Sequence, residues 1–282
     1  MNIFTIFKRK RSFSHYLKDQ CANSQDFSNE WKEAVHNGYI TFYLQPKYSF
    51  QNEQVVGAEA LIRWNHPQKG LITPAQFIPF AEKRGLIRMI DTWMLESVIK
   101  QIGTWNKLGI DNPIQISVNV SADTMQDPQF IRSIKKALKK SSVLPNQLEI
   151  EITEGVQLKD ISQVRKNFKL LQELGIHIAL DDFGVGYSSL TYLAKYPVNT
   201  LKIDRSFVWQ IPTEKNASSI IRCLIQMAYE MGLKVVAEGV ESKEQYDFLK
   251  NHGCHSLQGF FKQKPIPIND FENQYFDKPA AV

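Results

Sequence analysis

Two adjacent aspartates, Asp181 and Asp182, stand where the apolar run HIALDD (177–182) gives way to Phe-Gly-Val-Gly. Burying a carboxylate is costly unless it is paired or bound to a metal, so something cationic must face this pair. Strand-like runs elsewhere offer more polar candidates. Side chains alternate across a strand. In LEIEIT (148–153), Leu148, Ile150 and Ile152 share one face, and Glu149, Glu151 and Thr153 the other. The same phase sets Asn119, Asp181, Lys202 and Glu238 opposite the aliphatic faces of their own strands. Glu59 and Arg63 share a face with Leu61. Several carboxylates brought together from separate strands repel one another, and one or two divalent cations neutralise them. Oxygen ligands with no cysteine and little histidine favour Mg²⁺ or Mn²⁺ over zinc. For any single strand, a solvated polar face explains the alternation as well. Across five strands separated by crossover helices it does not, because parallel sheets are covered on both faces.

The elements that must position these residues follow a regular rhythm from about Ser28. Strands are predicted at 39–48, 55–64, 114–120, 148–153, 177–182, 200–204, 233–238 and 256–261. Helix-length segments such as DTWMLESVIKQIGTWNKLG separate most of them, and Gly109, Gly175, Gly232 and Gly253 stand where helices should close. Alternating βα units imply a mostly parallel sheet, and about eight of them suggest a closed barrel. The fold class is therefore α/β, a TIM-like (β/α)8 barrel whose active site belongs at the strands' C-terminal mouth. The first two strands have no helix between them, so the first is predicted to run antiparallel. The strand 177–182 is taken to end at Asp182, which would let that side chain turn toward Asp181. No linker interrupts the chain after residue 38. The predicted organisation is a flexible basic extension over 1–27, one domain over 28–275 and a tail over 276–282.

Composition narrows the function. Of 282 residues, 43% are hydrophobic and 22% charged, which suits a globular domain with a sizeable core. The net charge is +5, of which Lys8, Arg9, Lys10 and Arg11 supply four. The rest carries no basic field of the kind that binds nucleic acid. Cys21, Cys223 and Cys254 form no CxxC, which argues against disulfides or a thiolate zinc site and for the cytoplasm. IFTIFKRKR is too short for a signal peptide, and weak contact of residues 1–11 with an anionic membrane is the alternative to a mobile tail. Lys135, Lys136, Lys139 and Lys140 read as a solvated helix face. Asp182-Phe183-Gly184 lacks the companion motifs of a kinase, and Gly184-x-Gly186 lacks the third glycine of a dinucleotide fingerprint. His66 reads as structural or substrate-contacting, and Trp64, Trp93 and Trp105 as core or rim.

The segments EALIRWNHP, SVNVS, EIEITE, DDFGVGYSSL, LKIDRSFV, VVAEGVE and QGF occur in this order between residues 59 and 260. Together they resemble the EAL-domain family of cyclic di-GMP phosphodiesterases, whose motif is Glu59-Ala60-Leu61 here. The resemblance covers about residue 30 to Pro265. It implies a TIM-like barrel with an antiparallel first strand, a homodimer, and hydrolysis of cyclic di-GMP to linear pGpG with Mg²⁺ or Mn²⁺. It also implies that Glu59, Asn119, Glu151 and Asp181 hold one metal ion, and that Asp181, Asp182 and Glu238 serve a second. Glu238 would act as general base, with Lys202 orienting water and stabilising negative charge. Arg63 would hold a phosphate, Gln258 would position water or ligand, and Leu61 and Asp204 would contact substrate. Glu154 and Glu241 would anchor the loop after Asp182. Phosphodiester hydrolysis requires an activated water and charge neutralisation at the attacking and leaving oxygens, which these residue types supply. Val185, where the family commonly has threonine, and FFKQKP after Gly259 depart from the pattern. A catalytically inactive EAL module that binds cyclic di-GMP or a protein is the alternative. A barrel glycosidase needs one carboxylate pair rather than a cluster with lysine.

Overall fold

The computed structural model describes residues 24–110, 114–153, 161–184, 193, 195–211 and 213–276. In chain order, α1 (Ser24–His36) precedes β1 (Ile40–Ser49), β2 (Val55–His66) and the short β3 (Gly70–Ile72). Next come α2 (Pro74–Lys83), α3 (Ile87–Lys107), β4 (Gln115–Asn119), α4 (Ala122–Met125) and α5 (Phe130–Lys139). Then follow β5 (Leu148–Thr153), α6 (Ile161–Leu174), β6 (His177–Phe183), β7 (Thr200–Ile203) and α7 (Arg205–Trp209). The chain continues through α8 (Lys215–Glu230), β8 (Lys234–Glu238), α9 (Lys243–Asn251), β9 (Ser256–Gln258), β10 (Ile266–Pro267) and α10 (Ile268–Tyr275). No described helix is long and apolar enough to cross a membrane.

The chain divides into two compact units. The smaller comprises the described residues up to Phe42 together with Ile62–Ile90. Its centre is aromatic. Trp64 packs edge-on against Phe27, Trp31 and Phe77 at centroid distances of 6.2, 6.0 and 5.7 Å. Antiparallel pairing of Trp64 with Ile72 fixes the end of β2 over this cluster. Phe27 and Trp31 lie one helical turn apart on α1 and are both buried.

The larger unit, Tyr43–Leu61 with residues from Asp91 onward, carries the barrel. Strands β2, β4, β5, β6, β7, β8 and β9 pair side by side in parallel. β1 pairs antiparallel with β9, Tyr48 opposite Leu257, and a β1–β2 pairing closes the ring. The fold is thus an eight-stranded mixed barrel with an antiparallel first strand, and β3 and β10 are short additions at its margins. The aliphatic strand faces pack on helices as the alternation requires. Leu201, Ile203, Val235 and Ala237 lie against Ile221, Ile225 and Ala228, which share one face of α8. Each of the leucine, isoleucine and valine side chains contributes about 1.5–3 kcal/mol of burial, and Ile225→Ala should cost about 2–5 kcal/mol.

The four glycines predicted to close helices all adopt positive φ, between 69° and 82°. Two strand ends differ from expectation. The last barrel strand stops at Gln258 instead of running to Phe261. Gly259 lies so close to Val240 that a Cβ would sit 2.1 Å from its carbonyl oxygen. The chain turns there, and the Phe261 N–H bonds back to that carbonyl. β6, in contrast, does not end at Asp182 but continues to Phe183.

Candidate active site

Seven neighbouring strands each send one polar side chain toward the same end of the barrel interior. Lys202, third of four residues in β7, is completely buried. Its ammonium lies 2.6 Å from Glu151 of β5, 2.6 Å from Glu238 of β8, 3.0 Å from Asp181 of β6 and 3.8 Å from Glu59 of β2. The two oxygens of Glu59 accept amide N–H bonds, from Asn119 of β4 and from Gln258 of β9, each at 2.6 Å. Asn119, Glu238 and Gln258 are the last residues of their strands, which puts the group at the C-terminal mouth.

Asp182 reaches this mouth by a distortion that alternation does not foresee. The β6–β7 register shifts between Leu180 and Phe183, and Asp182 has φ 53°. This left-handed conformation is uncommon for a residue with a Cβ, and a bulge that contains it re-aims a side chain without ending the strand. The Asp182 N–H also donates to its neighbour's Oδ1 at 2.9 Å. Oxygens of Asp181, Asp182 and Glu238 consequently fall within 4.8 Å of one another. The expectation that the strand ends at Asp182 is corrected here: a bulge inside the strand, not its termination, turns two consecutive carboxylates to one site.

Charge at this site is unbalanced. Among the described residues, six carboxylates in the barrel interior, Glu59, Glu149, Glu151, Asp181, Asp182 and Glu238, meet two ammoniums, Lys47 and Lys202. Fully ionised, six less two leaves four excess negative charges. Burial pushes the Glu238 carboxyl well above its ordinary value, and Glu59 and Asp181 also go up, against the pull of Lys202. Burial, then the charges of Asp181 and Asp204, raise Asp182 to about 6. Glu151 behaves oppositely. Burial would raise it, but Lys202 and Lys47 together draw it down to about 2.

This donor set fits a hard divalent cation. The clustered groups are all carboxylates, three of them with oxygens within 4.8 Å, which is the ligand chemistry of Mg²⁺, Mn²⁺ or Ca²⁺ rather than of zinc. Gln258 adds a second sign. Its amide nitrogen is bonded to Glu59 and Gln45, whereas its buried Oε1 has no hydrogen-bond partner. A buried carbonyl oxygen without a donor costs about 1–3 kcal/mol, and a bound cation or its water would satisfy it.

Residues 28–265 match the family model for the EAL domain. The chain belongs to the EAL-domain family. Among curated relatives, the signaling protein YkoW of Bacillus subtilis is 39% identical over 249 residues, 88% of this chain and 31% of its own. The bifunctional diguanylate cyclase/cyclic di-GMP phosphodiesterase MucR of Pseudomonas aeruginosa is 38% identical over 261 residues, 92% of this chain and 38% of its own. The chain therefore spans about a third of the length of these relatives. A solved structure described as the PaMucR phosphodiesterase in complex with c-di-GMP superposes with a TM-score of 0.80. It is 37% identical and aligns over 86% of this chain and 98% of that one.

The remaining residues singled out in this EAL domain are placed as follows. Arg63 is buried in the smaller unit, and its guanidinium donates to the Ile62 carbonyl at 2.8 Å. Leu61 is half-buried. Asp204 lies just past β7 as the N-cap of α7, accepting the Ser206 N–H at 2.9 Å. Glu241 is exposed, and its N–H donates to the Gln245 side chain at 2.7 Å. Glu154, Val185, Gly186, Ser188 and Ser189 lie outside the described residues. Gly184 has φ 100°, and a Cβ there would collide with the Phe207 ring at 2.7 Å. His66 is buried beside Trp64 and within 3.5 Å of Glu30, a structural setting. Trp64 and Trp105 are core residues, and Trp93 is half-buried. The four lysines of 135–140 are all exposed on the surface of α5 and just beyond it.

Alternation places Glu149 on the inward face but does not reveal its partners. Lys47 on β1 lies 3.1 Å from Glu149 and 2.7 Å from Glu151, and the Thr200 hydroxyl donates to Glu149 at 2.7 Å. Gln45 and Lys47 stand two apart on β1, on one face of the strand, and are both buried.

Proposed function

We propose that this EAL domain hydrolyses cyclic di-GMP to linear pGpG using two divalent cations, Mg²⁺ or Mn²⁺. The observation that carries the reading is the close set of Asp181, Asp182 and Glu238 oxygens beside the Lys202 ammonium. Similarity to the bifunctional diguanylate cyclase/cyclic di-GMP phosphodiesterase MucR and the c-di-GMP complex of the matched structure support the choice of substrate.

In this reading Glu59, Asn119, Glu151 and Asp181 hold one cation, and Asp181, Asp182 and Glu238 hold the other. When bound, the cations supply Lewis acidity and lower the pKa of water. Glu238 takes the proton from the attacking water, a task suited to a carboxyl whose proton affinity burial has raised. Lys202 orients that water and offsets charge on the phosphoryl oxygens. Arg63 offers a planar guanidinium to a phosphate, Gln258 positions water or ligand, and Leu61 and Asp204 contact the nucleotide. Glu154 and Glu241 anchor the loop that follows Asp182. The working domain is residues 28–275, and it acts in the cytoplasm as a homodimer.

Incubating the purified chain with cyclic di-GMP and Mn²⁺, then separating nucleotides by chromatography, tests the reading. It expects pGpG with Mn²⁺ and none with EDTA. Tight nucleotide binding without product would overturn it in favour of a receptor module.

A further inference from the structure

Glu151 is gripped at both ends. One oxygen accepts from Lys202 at 2.6 Å and the other from Lys47 at 2.7 Å. Both lysines and the carboxylate are buried, so no water competes for these bonds. Two ammoniums on opposite oxygens leave the carboxylate a single orientation. A lone Lys47 would also cancel the charge of Glu151 and weaken its hold on any cation. Glu149 removes that conflict: it meets Lys47 at 3.1 Å and is itself fixed by the Thr200 hydroxyl at 2.7 Å. Lys47 and Glu149 together are neutral, so Lys47 can orient Glu151 without consuming its charge.

We infer that Lys47 is a positioning residue that holds Glu151 in its ligating orientation, and that Glu149 serves to neutralise Lys47. The inference rests on the proposed role of Glu151 as a cation ligand. It departs from the plainer view that the Lys47–Glu149 pair only fills the barrel interior.

The two views separate in the double variant Lys47→Met/Glu149→Gln. It removes one charge of each sign, so the net charge of the site is unchanged. The introduced glutamine side chain still offers an oxygen to Thr200. Replacing a buried ion pair with groups of similar volume is often neutral for stability. Two quantities are read: the thermal midpoint in EDTA and the Mn²⁺ dissociation constant by calorimetry. The positioning role expects a near-native midpoint with Mn²⁺ binding weakened about 10–100-fold, the usual range when a ligand's supporting partner is removed. Native Mn²⁺ affinity in the folded double variant overturns it. Should that variant fail to fold, Lys47→Ala/Glu149→Gln relieves any overpacking and is read the same way. Unfolding of both also overturns it, since the pair would then be structural. If the native chain binds no Mn²⁺, the cation reading itself falls, and that result is visible before any variant is made.

Discussion

Two layers of the barrel interior contain the same residue types in different proportions. In the layer nearer the strands' N-terminal ends, Lys47 meets Glu149, and Thr200 completes that carboxylate's hydrogen bonding. In the layer at the C-terminal ends, Lys202 alone stands among four carboxylates at 2.6–3.8 Å. The inner layer closes on itself: each charge has an opposite and each carboxylate oxygen a donor. The outer layer does not: burial raises Glu59, Asp181 and most clearly Glu238 against the pull of Lys202, whereas Glu151, shared with Lys47, is drawn down. A barrel interior is normally filled with branched apolar side chains. Here the inner layer substitutes a satisfied polar network for that filling, whereas the outer one is left with excess negative charge that bound protons or a cation can offset. Glu151 touches both lysines and joins the two.

The strongest way to break this contrast is Lys202→Met. Removing one partner of a buried ion pair typically costs about 3–5 kcal/mol. In EDTA the variant should lose stability of that order, and in Mn²⁺ its pGpG formation should vanish. A native thermal midpoint would mean that Lys202 does not balance the outer layer. Next in size is the response of the native chain to metal. At a free Mn²⁺ concentration about 100 times the dissociation constant, stabilisation should reach about 2.7 kcal/mol. That corresponds to roughly 5–10 °C in the midpoint for a chain of this length. An unchanged melting curve would show that the excess charge is not a cation site.

Acidity sharpens the contrast further. Asp182 rises from 3.8 to about 6 on folding, so between these values the folded chain binds more protons than the unfolded one. The Asp182 share of stability must then fall as pH increases through that window and level off above it, while Glu238, raised well above its ordinary value, carries the fall further. In EDTA, Asp182→Asn should flatten that fall, as followed by thermal midpoints across the same window. A slope identical to the native one would remove Asp182 from the outer layer's strain. Glu151, drawn down from 4.5 to about 2, contributes the opposite slope at the acid end of that window, where the unfolded chain still binds its proton, and none above it.

Much of this was legible in the sequence because it depends on period-two alternation. Glu59, Asn119, Glu151, Asp181, Lys202 and Glu238 were all phased correctly, since each sits in a strand paired on both sides. Asp182 was not, because a bulge breaks the period, and nothing in the letters DD separates a strand end from a left-handed residue within the strand. Alternation carries the phase of Lys202 on to Asp204; β7 ends at Ile203, and Asp204 caps the following helix while its charge still bears on Asp182. Lys47 was hidden for another reason. The segment 39–48 reads as a strand, but with Pro46 in it and polar residues near its end, its inner face becomes meaningful only once closure against β9 and β2 is known.

The smallest expected effect belongs to Thr200→Val. The substitution is nearly isosteric and removes the hydroxyl that donates to Glu149 at 2.7 Å. One carboxylate oxygen of the inner layer then loses its donor, at a cost of about 1–3 kcal/mol. Lys47 keeps both of its partners, so Glu151 stays oriented and Mn²⁺ affinity and turnover should match the native chain. The variant therefore tests whether the inner layer reports in stability and the outer one in chemistry. A lower midpoint with native turnover supports the separation. Native stability with a marked loss of turnover would show instead that the two layers act as one network, with Thr200 transmitting through Glu149 and Lys47 to the outer carboxylates.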